Sequence, residues 1–189
     1  METFLLSLIL IPIAILRYFT TDHDTRADKD RKRFREGIEL LAAKQYDEAL
    51  NYFSLLIQKF PKSAVAYFYR GQANFCLGNY YSAVYDLSQS TMLDHTIGEC
   101  YFFKGQAHYE LGEYQLAFLE LDKAVWHSRS LNADALRWRA LSRLPLGQAE
   151  QAVQDLEKAE ALGDENAAFH LKGIRAQLAH PRNVRNRGQ

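Results

Sequence analysis

The sequence predicts an all-α protein built from stacked helix pairs, and three observations carry that prediction. Gly37, Gly71 and Gly105 stand 34 residues apart, and each is followed twelve residues later by an alanine: Ala49, Ala83 and Ala117. Phe53, Leu87 and Leu121 keep the same register, as do Tyr46, Tyr80 and Tyr114. The two central copies are nearly the same text, "YFYRGQANFCLGNYYSAVYDL" from Tyr67 and "YFFKGQAHYELGEYQLAFLEL" from Tyr101. Self-similarity at this period means that one supersecondary unit is repeated and hides its apolar face against its neighbours.

The chain has 189 residues, enough for one repeat domain with a substantial core. Basic and acidic side chains balance at 23 each, so no global field favours nucleic acid. Cys76 and Cys100 form no close pair in sequence and read as reduced, packed thiols.

Thr3 to Leu16 reads "TFLLSLILIPIAIL", and Tyr18 and Phe19 extend the apolar run past Arg17. About 17 residues at roughly 1.5 Å each give on the order of 25 Å, the short end of what spans a bilayer. Residues 1–19 are therefore expected to form a single transmembrane anchor; a cleaved signal peptide and a helix that packs on the domain are the alternatives. The signal-peptide reading lacks an opening Lys or Arg and small residues before a cut. Residues 20–29 read as a charged linker. Arg17, Arg26, Lys29 and the basic residues from Arg31 to Arg35 all follow the apolar run, and the positive-inside rule then places the repeat domain in the cytoplasm. The basic cluster has two readings, contact with anionic lipid or a solvated approach to the first helix.

Each unit divides into two helical stretches at a visible turn. "LGN" from Leu77, "LGE" from Leu111 and "LGQ" from Leu146 put glycine where a helix ends and the chain reverses; in the first unit Lys44 and Gln45 stand there. Gly37, Gly71 and Gly105 lie inside helical stretches, where glycine costs about 1 kcal/mol against alanine, so a close helix contact is expected, with Ala49, Ala83 and Ala117 on the opposing helix.

On these residues the chain resembles the tetratricopeptide repeat family. Tyr67, Gly71, Tyr80, Ala83 and Leu87 match its pattern in one unit, as do Tyr101, Gly105, Tyr114, Ala117, Leu121 and Ala124 in the next; Pro61 sits where the family often places a proline between units. The resemblance implies a right-handed superhelix whose first helices line the concave face. It divides the chain into units 30–63, 64–97, 98–132 and 133–165. The last is degenerate: Ala140 replaces the glycine, Leu136 the aromatic and Ala149 the tyrosine, while Pro145 shortens its first helix. Residues 166–180 read as a C-terminal capping helix with Phe169 and Leu171 inward, and residues 181–189 as a basic tail.

No phosphate loop, nucleophile elbow or metal-ligand spacing appears in the text. His95 with Glu99, and His108 with Glu110, lack a third ligand or a nucleophile. No enzyme activity, cofactor or metal is expected. Carrying the family's geometry over, the concave lining would be Phe68, Tyr69, Gln72, Phe75 and Cys76, then Glu99, Phe102, Phe103, Gln106, Tyr109 and Glu110, then Arg137 and Trp138. The carboxylate clamp of chaperone-binding members needs Lys, Arg and Asn there. Aromatic rings and Gln suit an apolar or amphipathic segment of a protein partner, with Gln72 and Gln106 able to bond an extended backbone. Either these rings face the groove or they pack between units, because the two faces adjoin on one helix. The expected role is a membrane-anchored interaction scaffold or assembly adaptor; the alternative is a constitutive subunit of a membrane complex.

Overall fold

The computed structural model describes residue 11 and residues 24–179. Across residues 24–179 the chain forms ten helices: α1 (Arg26–Arg33), α2 (Arg35–Ala42), α3 (Tyr46–Lys59), α4 (Ala64–Cys76), α5 (Tyr80–Leu93), α6 (Gly98–Glu110), α7 (Tyr114–His127), α8 (Ala133–Arg143), α9 (Ala149–Ala161) and α10 (Glu165–Ala179). They pack in chain order as antiparallel pairs, α2 with α3, α4 with α5, α6 with α7 and α8 with α9, and each pair leans on the next.

The turn chemistry shows why the pairs form. Gly78, Gly112 and Gly147 adopt positive φ at the end of each first helix. The next residue then turns its N–H back to a carbonyl five positions earlier, Asn79 to Asn74, Glu113 to His108 and Gln148 to Arg143, at 2.8–3.1 Å. Lys44 makes the same turn with φ 60°, and Gln45 N–H bonds the Leu40 carbonyl at 2.9 Å. A side chain at Lys44 carries a left-handed strain that glycine escapes, partly offset by the entropy glycine adds to the unfolded chain. Lys44→Gly should therefore stabilise the fold by about 0.5–1 kcal/mol. A urea midpoint that rises with an unchanged slope would show this, and an unmoved midpoint would mean the turn is unstrained.

Four of the described helices carry a side-chain cap at their start. Thr25 and Asp28 form a reciprocal capping box at α1, while Ser63, Asn132 and Asp164 accept the N–H of Ala66, Ala135 and Ala167 at α4, α8 and α10. Ser63 and Asn132 stand before the first helices of the second and fourth units, whereas Ile97 before α6 makes no side-chain cap. Pro145 follows α8, which has 11 residues where α4 and α6 have 13.

The core is a repeated stack. Phe53, Leu87, Leu121 and Leu156 sit one per second helix and are fully buried, as are Ala49, Ala83, Ala117 and Ala152. The glycine contact differs from expectation. A Cβ at Gly71 would lie 2.8 Å from Leu87 Cγ, and one at Gly105 would lie 2.5 Å from Leu121 Cγ. The glycines accommodate the large leucines of the opposing helix; the alanines, one turn earlier on that helix, are buried but are not what the glycines face.

Three further expectations are corrected. Phe169 is 76% exposed while Leu171 is buried, because α10 turns only one stripe toward α9. Cys76 is exposed at the end of α4, whereas Cys100 is buried against the Ser90 hydroxyl. The single-pass membrane localisation does not stand: among the described residues no helix is long and apolar enough to cross a membrane. The longest, α10, has 15 residues, where a span takes about 20 apolar ones. The segment 1–19 on which that expectation rested lies outside the described residues apart from Ile11, as does the tail 181–189.

Candidate partner-binding groove

The groove residues lie on the first helices α4, α6 and α8, where the superposed units present equivalent faces. Most of the aromatic set is engaged between units. Phe68 is 4% exposed and its ring meets Tyr69 at 4.8 Å and Phe103 at 6.0 Å. Tyr69 stacks on Phe53 at 5.3 Å, and Phe75 meets Phe103 at 5.8 Å and Tyr80 at 5.7 Å. Tyr109 holds Tyr114 and Trp138 edge-on at 5.3 and 5.2 Å. Two ring clusters thus join neighbouring units, one around Phe68 and Phe103 and one around Tyr109, and Phe68 belongs to the interior.

Phe102 and Phe103 are adjacent residues with different duties. Phe103 packs on the core of the preceding units and Phe102 on the core formed by α7 to α10. Between them opens a cleft of about 340 Å³, lined also by Glu99 on α6, Ala124 and His127 on α7, and Asn132 before α8. Its volume is in the range of natural ligand clefts, and its walls are mainly apolar with a few polar groups at the rim. Tyr101 stacks on His127 at 5.0 Å and fixes that wall.

The polar candidates are largely committed. Gln106 is buried and Gln72 half-buried. Arg137 bonds Asp164 at 2.7 Å, pairs with Asp134 and lies over the Trp138 ring, so it braces the junction of α8 and α10. Arg31 of α1 reaches Glu99 of α6 at 3.4 Å across the groove's edge. Burial pushes the Tyr69 phenol up, and Arg31 beside it partly offsets that. Burial likewise pushes the Cys100 thiol up to about 12, which makes it inert at neutral pH. His108 meets Glu113 at 2.6 Å, within one turn of the chain. Among the described residues no group of three or more His, Cys, Asp or Glu side chains is placed to hold a metal.

One repeated feature is absent from the expectations above. Arg70 pairs with Asp86 at 2.6 Å, Lys104 with Glu120 at 3.1 Å and Arg139 with Asp155 at 2.6 Å. Each basic residue lies sixteen positions before its acid, and both columns recur in the register of the glycines. The signal was there to be read in the second-helix acids, which face inward and are buried or nearly so.

Comparisons with known proteins agree with this geometry. Residues 42–124 match the family model described as anaphase-promoting complex, cyclosome, subunit 3. Among solved structures, MamA 41-end from Desulfovibrio magneticus RS-1 superposes with a TM-score of 0.71 at 22% identity, covering 78% of this chain and 85% of that one. The first TPR domain of human RPAP3 superposes with a TM-score of 0.59 at 23% identity, covering 64% and 96%. A first TPR of Spaghetti (RPAP3) bound to an HSP90 peptide gives 0.59 at 23% identity, covering 61% and 93%. No curated protein matches in sequence. The chain therefore has a TPR-like all-α repeat fold.

Proposed function

We propose that this chain is a non-catalytic protein-interaction scaffold that takes an apolar or amphipathic segment of a partner protein into the cleft between α6, α7 and α8. The observation that carries the reading is the Phe102 and Phe103 pair, which leaves an apolar cleft open at the seam between two cores. A fold shared with a domain bound to a peptide supports the same use of the surface. An acidic tail is the less suitable ligand, because Arg31 and Arg137 near the groove are already paired with Glu99 and Asp164. The other aromatic positions, Phe68, Tyr69, Phe75, Tyr109 and Trp138, do not line the cleft and pack ring against ring between helices.

Fluorescence anisotropy with a labelled amphipathic helical peptide and a labelled acidic C-terminal peptide tests this. The amphipathic probe should bind more tightly, and Phe102→Ala should weaken it by about 2 kcal/mol, roughly thirtyfold, as truncation of a central aromatic anchor does. Preference for the acidic probe, or binding indifferent to Phe102, would move the site elsewhere. A melting temperature measured on the same variant separates lost binding from lost folding.

A further inference from the structure

The described chain begins beside the cleft. Thr25 caps α1, and the first residues of that helix, Arg26 and Ala27, line a recess of about 50 Å³ together with Leu93 and Asp94. Thr96 and Gly98, which follow directly, already line the cleft itself. Five residues further along α1, Arg31 touches Glu99 on the cleft's rim. The start of α1 thus lies beside the residues that lead into the apolar opening between α6, α7 and α8.

What precedes Asp24 is the most apolar text in the protein. From Thr3 to Phe19 the only charged side chain is Arg17. Ile11, the one described residue of that run, is 58% exposed and so has apolar surface still in water. Such a run is driven to cover its surface, at about 25 cal/mol for each Å² removed from water. Four residues, 20–23, separate that run from Asp24, and four extended residues reach on the order of 14 Å.

We propose that the apolar run 3–19 is the cleft's own occupant: it folds back in the same chain to seat apolar side chains against Phe102, Phe103 and Ala124, and a partner's segment must displace it. This rests on the cleft being a binding site. Two matches support it: the apolar walls suit the run's Leu and Ile side chains, and the start of α1 lies beside the residues that lead into the cleft. A ligand tethered this closely sees an effective concentration in the millimolar range, so even a weak intrinsic fit fills the cleft. A partner then competes against an internal ligand, which sets a threshold on its affinity.

Cross-linking of the full chain tests this. With Cys76→Ser removing the exposed thiol and Cys100 buried, Ser7→Cys is paired either with Ser128→Cys at the cleft or with Ser82→Cys, exposed on α5. A short bifunctional maleimide at low protein concentration should give an intrachain product at least about tenfold more efficiently for the Ser128 pair, and the amphipathic peptide used above should suppress it. Equal yields for the two pairs would overturn the inference, and interchain products alone would replace it with occupancy by a second copy. Peptide binding with no cleft cross-link sinks self-occupancy but leaves the scaffold reading intact. A cleft cross-link that no peptide suppresses keeps the run in the cleft and sinks the scaffold reading, and failure of both assays sinks both.

Discussion

Asp155→Ala should destabilise the protein by about 3–5 kcal/mol, the cost of breaking a buried ionic cluster from one side. Asp155 is 2% exposed and accepts two bonds from Arg139, at 2.8 Å from Nε and 2.6 Å from Nη2, and a third from Arg143 at 2.6 Å. The carboxylate serves two guanidinium groups at once. Arg139 retains Asp122 at 2.6 Å when Asp155 is lost, but Arg143 has no second carboxylate bond to fall back on. Burial already holds Arg143 below the ordinary arginine range, and Asp155 is the main influence opposing that. Truncation therefore leaves a half-buried cation with the Gln151 carbonyl at 3.2 Å and the Phe118 ring but no carboxylate among the described residues to offset its desolvation. Glu39→Ala, which breaks only the exposed i,i+4 pair with Arg35, should change stability by no more than about 0.5 kcal/mol. Urea midpoints at constant slope compare the two, and equal effects would show that the Asp155 cluster is solvated rather than structural.

How much of this was legible in the sequence depends on the range of the interaction. The turn glycines and the turn at Lys44 and Gln45 are local, and a repeated register makes local signals visible three times over. The packing partner of each internal glycine was misplaced by one helical turn, since Leu87 and Ala83 lie four apart on the same helix and the repeat period gives both equal standing. Ring orientation was ambiguous for a similar reason. Phe102 and Phe103 are neighbours in text and in register, yet one serves the preceding core and the other the following one. The Arg31 contact with Glu99 spans 68 residues and leaves no mark in any local pattern. The register-bound pairs of Arg70, Lys104 and Arg139 were readable, but only if charge is followed along the repeat instead of summed over the chain. The first segment lies outside the described residues apart from Ile11, and hydropathy alone does not assign it, because an apolar run of borderline length scores alike whether lipid or protein covers it.

Leu121→Ala should cost about 2–5 kcal/mol, and a second substitution that is harmful alone should recover part of the loss. Leu121 is fully buried and fills the space left by Gly105 on the facing helix. A Cβ at position 105 would lie 2.5 Å from Leu121 Cγ and 3.1 Å from both its Cδ2 and its backbone nitrogen. In the native context Gly105→Ala is therefore overpacked, with a strain of roughly 1–3 kcal/mol working against the roughly 1 kcal/mol that alanine gains over glycine in a helix. Once Leu121 is truncated, the two closest side-chain atoms are gone and the new methyl group enters a cavity. Most of the strain is relieved, the 3.1 Å approach to the backbone nitrogen alone remaining of the three closest contacts, while the helix preference is unchanged, so Gly105→Ala should stabilise the Leu121→Ala protein. The sign reversal is the diagnostic, and a double-mutant cycle on thermal or urea unfolding measures it as a coupling of about 1–3 kcal/mol. Additive effects would mean that the two helices do not meet at these residues, and the packing account of the 34-residue glycine register would fail with them.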